Sequence, residues 1–418
     1  MNDRTSVRGG DVDRRRRVVL CVQNLSVPQD RRVWREARSL AEAGYDVSVI
    51  CPGYDGSARR EHLDGVDIVR YPRPPDLPGL AGQLLETVAA LFWTSILLLV
   101  LRRRGPIDVV HAANPPDTFV LVASPLRRFG TRFVYDQHDL CPELLAMRSA
   151  TGLKSRMLGS LFRVLEQRSY RTADLVVAPN NSYRRIALDR GGMPPERVVV
   201  VRSGPDEIRA DLGHDRSRAG AGPLVVSFAG VMGRQDRLDV LLEAAAEVLS
   251  RRPDALRLDL IGRGDDIPRL RKRAAELGIA HAVSWPGWLF GEELASRLAA
   301  GSIAVSLDDD SLFNRLSTMT KVPEYLALGL PALIADLPEN RVSAGNAAVY
   351  FAPGDPTDLA KRLESLLDDG DQLAELRRAA LERASHLLWA HSASRLVAAY
   401  EWLLAGGKPV EGDQVLPA

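Results

Sequence analysis

Short apolar runs recur along this chain at intervals that leave room for a helix between most of them. In the first half they are VVLCVQN (18–24), YDVSVICP (45–52), DIVRYP (67–72), IDVVHAA (107–113), RFVYDQHD (132–139), DLVVAPN (174–180) and VVVVRSG (198–204). Helical patterns fill the intervals at Asp30–Ala43, 84–101, 117–128 and 154–171. Strands that read apolar throughout are covered on both faces, and strands joined by helices pair in parallel. The alternation restarts after the glycine-containing, charged stretch 206–222. PLVVSFAG (223–230), LRLDLIG (256–262), AVSWPGW (282–288), SIAVSLD (302–308), PALIAD (331–336) and AVYFA (348–352) follow, again with helices between most of them. The fold class is therefore α/β, with two Rossmann-like, doubly wound parallel-sheet domains facing across a cleft. The expected boundaries are a disordered tail at 1–15, a first domain at 16–204, a second at 205–390, a closing helix at 391–405 and a tail at 406–418. Ligands of such sheets sit beyond the carboxyl ends of the strands, so the loops there are where function is sought.

Net charge excludes one class of partner. At +1, the chain carries no field of one sign that would recruit nucleic acid. Three widely separated cysteines, Cys21, Cys51 and Cys141, lack metal-ligand spacing and point to a reducing, cytoplasmic setting. One segment qualifies that reading. LLETVAALFWTSILLLVL (84–101) holds a single charge, Glu86, and runs into Arg102–Arg104. A membrane span would separate two strands of one sheet, so a buried or domain-edge helix, or one resting on the inner face of a membrane, is expected instead.

Candidate chemistry lies in five places. GRGDDI (262–267) has two glycines of a dinucleotide fingerprint but Ile267 in the third position, so a tight turn explains it better than NAD. His138, beyond a strand end and beside Asp139 and Glu143, suits proton transfer or a turn hydrogen bond equally. Asn114 and Asp117 in HAANPPD fit a turn and helix cap as well as an acceptor contact. Asp30 and Arg31 (with Arg32) open the first helix, where a doubly wound domain meets its ligand. In LSTMTKVPEYLALGLP (316–331), Pro323 is tolerated only in a first turn and Gly329 marks the end, so a helix starts near Thr320. Lys321 and Glu324 then share its first turn, suited to phosphate and ribose or, more blandly, to each other.

Read together, SLDDD, PEYLALGLP and ALIAD resemble the C-terminal half of the retaining glycosyltransferases of family 4, which have the GT-B fold. YDQHD and VVVVRSGPDEI look like that family's histidine loop and interdomain turn. FAGVMGRQDRLDVLLEA (228–244) looks like the opening unit of its donor domain, and HSASRLVAAYEWLL (391–404) like the helix that returns to the first domain. The resemblance covers about residues 17–405. It implies an acceptor domain at 16–204 and a donor domain at 205–390, with a sugar passing from a nucleotide-diphosphate sugar of UDP or GDP type to a glycan or lipid-linked acceptor. No cofactor or metal is implied. By position, Glu324 matches the second glutamate of the E-x7-E motif and His138 the histidine near the transferred sugar. Amides near Thr318 and Met319 would meet the diphosphate, with Arg234 and Lys321 as cations and Asp308 and Ser317 near the sugar. Asp30, Arg31, Asn114 and Asp117 would face the acceptor. Two positions depart from the pattern: Leu316 replaces the first glutamate, and Asp236 stands where a lysine is usual, which Lys321 would replace. Leu316 keeps open a non-catalytic nucleotide-sugar-binding or transferase-partner protein, and the order of motifs disfavours an epimerase.

Overall fold

A computed structural model of the protein describes residues 14–75, 77, 79–148, 153–212 and 222–407. Nearly all of the two tails therefore lies outside the described residues. The first sheet contains β1 (Arg17–Cys21), β2 (Asp46–Pro52), β3 (Arg60–Leu63), β4 (Val66–Tyr71), β5 (Val109–Ala113), β6 (Arg132–Asp136), β7 (Leu175–Ala178) and β8 (Val198–Val200). Its order is β3-β4-β2-β1-β5-β6-β7-β8, parallel throughout except for the antiparallel β3. β3 is an exposed hairpin strand with no apolar run, which is why the hydrophobic pattern did not announce it.

The second sheet contains β9 (Leu224–Val231), β10 (Leu256–Arg263), β11 (Val283–Gly287), β12 (Ile303–Ser306), β13 (Ala332–Ala335) and β14 (Ala348–Phe351), in the parallel order β11-β10-β9-β12-β13-β14. Both sheets are covered on both faces. On β1, Val18 and Leu20 enter one core with the helix Arg31–Glu42, while Val19 and Cys21 enter the opposite core with the helix Gly79–Arg103. Alternate residues of a strand point to opposite faces, so a continuous apolar run is what two covered faces require.

Two chain segments cross between the domains side by side. The amide of Trp389 donates to the Pro205 carbonyl at 2.8 Å, and a Cβ placed on Gly204 would lie 1.8 Å from the Leu387 carbonyl oxygen. The helix Trp389–Leu404 then packs on the first domain, burying Trp389, Leu396, Tyr400 and Leu403. Trp389 Nε1 donates to Ser39 Oγ at 3.0 Å.

The helix Gly79–Arg103 corrects one expectation. β4 and β5 lie in one sheet, so both ends of the helix stay on one side, as the strand argument required. It is nonetheless not a buried helix: only 22% of its most apolar stretch lies inside the fold.

Candidate functional site

Within the first domain, the helix after β1, strand β5, the end of β6 with its loop and the last helix meet in a buried polar cluster. Asp136, the last residue of β6, is fully buried and accepts from Arg32 Nη2 at 3.0 Å. Its other oxygen faces His111 Nε2 at 3.2 Å and contacts His138 Nε2. Arg32 Nη2 also meets Glu36 Oε1 at 3.1 Å, and its Nη1 donates to the Val201 carbonyl at 2.8 Å. His111 Nδ1 pairs with Tyr400 Oη at 2.7 Å, so the last helix takes part in the cluster. Burial alone would raise the Asp136 carboxyl, but the charges of Arg32 and His138 hold it well below the carboxylate range. Glu36 goes the other way: burial first, then the Asp136 charge, push it well above that range. The two carboxyls are therefore shifted in opposite directions, Asp136 down and Glu36 up. Glu36, Asp136 and His138 bring ligand atoms within 4.8 Å of one another. Arg32 already bridges both carboxylates, so a guanidinium supplies the positive charge there.

Asn114 and Asp117 lie beneath the His138 loop. Both are buried. Asn114 Oδ1 accepts from the amides of His138 and Asp139 at 2.6 and 3.0 Å, and its Nδ2 donates to Asp117 Oδ1 at 2.8 Å. Tyr135 Oη donates to the same Asp117 oxygen at 2.5 Å. These side chains shape the His138 loop from beneath. Asp30 caps its helix by accepting from the Val33 amide at 3.1 Å, and Arg31 is exposed beside it.

In the second domain the short helix Lys321–Ala327 begins just after Thr320, and Gly329 follows at φ 63°. Lys321 and Glu324 do not pair with each other among the described residues. Lys321 Nζ lies 3.4 Å from Asp236 Oδ1 and 4.6 Å above the Phe228 ring. Burial opposes its charge, yet Asp308, Tyr325 and Asp236 raise its pKa. Glu324 Oε1 instead meets Arg35 Nη2 of the first domain at 3.3 Å, while Arg35 also grips Asp206 through bonds of 2.9 and 3.0 Å. Asp308 is buried and accepts from Ser306 Oγ at 2.6 Å. Arg234 is exposed on the turn after β9.

The residues before this helix join the two domains. Asn180, beyond β7, donates to the Leu316 carbonyl at 2.8 Å and to Thr318 Oγ1 at 3.0 Å. Tyr183 Oη lies 3.0 Å from Ser317 Oγ. Glu339 accepts from Ser182 at 2.6 Å and Arg202 at 3.3 Å, and Met319 packs with the second domain's own core. Leu316, at the place of the family's first glutamate, packs with Phe313 against the first domain's apolar cluster. Gly264 approaches the neighbouring loop closely: a Cβ there would meet the Met232 backbone at 2.1 Å. That closeness, not a dinucleotide, explains the Gly-x-Gly pair.

Glu36, His111, Asp136, Tyr400, Asn180 and Tyr183 were not singled out from the sequence. The spacing of Arg32 and Glu36, one helical turn apart, was the single local sign.

Comparison with known proteins agrees with this arrangement. A family model described as "Glycosyl transferase 4-like domain" matches residues 29–204, and one described as "Glycosyl transferases group 1" matches residues 223–369. A D-inositol 3-phosphate glycosyltransferase of Thermobispora bispora is 31% identical over 387 residues, 87% of each chain. Its counterpart in Stackebrandtia nassauensis is 28% identical over 399 residues, 88% of this chain and 85% of that one. Among solved structures, sucrose-phosphate synthase from Thermosynechococcus elongatus superposes with a TM-score of 0.75 at 17% identity, covering 94% of this chain and 100% of that one. WaaG, a glycosyltransferase involved in lipopolysaccharide biosynthesis, gives 0.68 at 15%, covering 93% and 100%. Two family domains in tandem on a GT-B frame, with a relative above 30% identity across most of both chains, place the protein among the family 4 glycosyltransferases.

Proposed function

We propose that the enzyme transfers a sugar with retention of anomeric configuration from a UDP- or GDP-type nucleotide sugar, held by the second domain, to a glycan or lipid-linked acceptor on the first. The observation that carries this reading is the setting of Lys321. It stands at a helix start across the cleft from the first domain, beside Asp236 where the family's lysine is replaced. A lysine there supplies the cation that a departing diphosphate needs, as a point charge. Glu324, one turn on, is the ribose ligand, and donor binding would exchange its contact with Arg35 for the ribose hydroxyls.

In this mechanism the bond from the sugar's anomeric carbon to the diphosphate oxygen breaks as the acceptor oxygen bonds to that carbon from the same face. The acceptor proton passes to the departing phosphate oxygen. His138, fixed by Asp136 and by the Asn114 carbonyl oxygen, lines the place where the transferred sugar would sit. Protein groups position and stabilise, and none need act as nucleophile. No metal or cofactor enters this reading. The relatives are named for D-inositol 3-phosphate, a hydroxyl-rich acceptor, and a solved GT-B neighbour was obtained with UDP-glucose. By analogy, the first supports a hydroxyl-bearing acceptor and the second a nucleotide-sugar donor. We place the enzyme in the cytoplasm, in keeping with its three buried free thiols.

Calorimetric titration of UDP, GDP and ADP into wild type and Glu324→Ala tests the donor assignment. One nucleotide should bind selectively and lose affinity in the variant. Absence of binding to all three by folded wild type would refute it.

A further inference from the structure

A second cavity in the first domain has no part in the site described above. It has a volume of about 250 Å³ and opens at the carboxyl ends of β1, β2 and β4. Gln23, Ser26, Tyr54, Tyr71, Arg73 and Glu86 are among its lining residues. The lining is rich in hydroxyls and amides and carries one charge of each sign, a composition suited to a sugar or polyol. Two polar atoms of these residues are buried without a hydrogen-bond partner: Tyr71 Oη, on a side chain only 3% exposed, and Gln23 Oε1. Both atoms are left to bond a water or, after a small shift of the side chain, a hydroxyl of a bound molecule. Burial also raises the Tyr71 pKa, which keeps its phenol a donor.

The wall of this cavity is shared with the helix Gly79–Arg103. Glu86 lines the cavity, and Thr87 Oγ1 accepts from Gln23 Nε2 at 3.3 Å. Leu84, Leu85 and Val88, in the same turns, are 55%, 37% and 62% exposed, and Phe92 and Leu99 continue that face at 57% and 56%. At 100° per residue these five lie within an arc of about 100°, and the buried Ala90, Thr94, Leu98 and Leu101 occupy a separate arc of about 80°. An apolar helix of this length is ordinarily buried or in contact with lipid, and this one is largely unburied. Its far end is basic: Arg102, Arg103 and Arg104 follow the apolar face, and Arg102 stacks 3.9 Å over Phe129, which is 60% exposed. Apolar face and arginine cluster together match an anionic membrane surface.

β1 lies two strands from β6, so the cavity is roughly 10 Å or more from His138 at about 4.8 Å per strand step. A single sugar cannot fill both places. We propose that the acceptor is a lipid-linked glycan: its reacting end lies at His138, its lipid-proximal polar part fills the Tyr71 cavity, and its lipid runs along the outward face of the helix Gly79–Arg103 at the membrane surface. This rests on the transferase reading given above and narrows its acceptor.

Sedimentation with phosphatidylcholine vesicles, with and without phosphatidylglycerol, tests the helix. Wild type should co-sediment with the anionic vesicles, and Val88→Glu and Phe92→Glu, both on solvent-facing positions, should weaken this roughly tenfold or more with melting temperature and nucleotide binding unchanged. A long-chain alkyl glucoside should bind roughly tenfold more tightly than methyl glucoside, an advantage reduced by Phe92→Glu, while Tyr71→Phe should weaken both. If wild type ignores vesicles and binds both glucosides alike while still binding nucleotide, the lipid-linked acceptor is overturned and the donor assignment stands. Loss of nucleotide binding by wild type would instead strike the donor assignment. A dimer that Phe92→Glu dissociates, without vesicle binding, would assign the apolar face to a second copy and also overturn the proposal.

Discussion

Replacing Asp136 by Asn and Glu36 by Gln should have opposite effects, although the two carboxyls share one guanidinium. Asp136 is fully buried and meets Arg32, His111 and His138. Asp136→Asn keeps the shape but removes the anion, leaving the Arg32 guanidinium, 10% exposed, short of its charge partner. Breaking a buried pair in this way costs about 3–5 kcal/mol. For a domain of this size, at about 2–4 °C per kcal/mol, the melting temperature should fall by roughly 6–20 °C. Part of the loss is recovered through Glu36, because the Asp136 charge is one of the causes raising its pKa and its removal makes a Glu36 carboxylate easier to form beside Arg32. The double variant Asp136→Asn/Glu36→Gln should therefore be less stable than the sum of the single changes, and the cycle measures that coupling. Glu36→Gln alone removes the carboxyl whose pKa is raised. A carboxyl whose native pKa is raised contributes stability that is fully present below its ordinary value of about 4.3 and is lost as pH rises through the native value. The Gln variant lacks that loss, so its stability relative to wild type should increase with pH. Urea unfolding at several pH values, followed by far-ultraviolet circular dichroism, measures both effects. Asp136→Asn that costs less than about 1 kcal/mol, or Glu36→Gln whose relative stability falls with rising pH, would refute the opposite shifts of the two carboxyls. Asp136→Asn should also lower transfer, since His138 loses the carboxylate that holds its ring.

Further predictions follow from single contacts. Lys321→Ala should reduce kcat/KM for transfer by about tenfold or more, and unchanged turnover would dismiss the idea that this lysine replaces the one missing at Asp236. Gly264→Ala should destabilise the second domain by several kcal/mol, about the scale of a severe core change, because the new methyl meets the Met232 backbone rather than a movable side chain; a neutral melting curve would contradict the close approach. Glu166 is pushed up to about 7 by burial, against the opposing pull of Arg190 at 2.6 Å. Its stabilising contribution is present in acid and lost as pH rises through 7, so wild type should lose on the order of 3 kcal/mol relative to Glu166→Gln between pH 4.5 and 8. A difference in stability that does not vary with pH would show that Glu166 titrates normally.

The chain alone determined the features that local periodicity and backbone chemistry control. Continuous apolar runs fixed parallel strands covered on both faces, and the restart after residue 222 marked a second sheet. Asp30 announced the helix it caps, and Pro323 and Gly329 bounded the helix Lys321–Ala327, because caps and breakers act within a turn of where they stand. Short helices with few repeats, such as Cys141–Arg148, Asn181–Asp189 and Pro338–Ala344, left no comparable period to read. Tertiary structure decided the rest. Arg32, His111, Asp136 and Tyr400 come from four separate segments, and their pairing exists only once the sheet and the last helix are packed. The same packing turned Asn114 and Asp117 inward to hold the His138 loop, and gave Lys321 a partner within its own domain, Asp236, and Glu324 one across the cleft, Arg35, instead of each other. It also chose which face of the helix Gly79–Arg103 meets the core. That helix is apolar on every side, so no periodic signal distinguishes its faces, and only the shape of the sheet beneath it leaves Val88 and Phe92 outside.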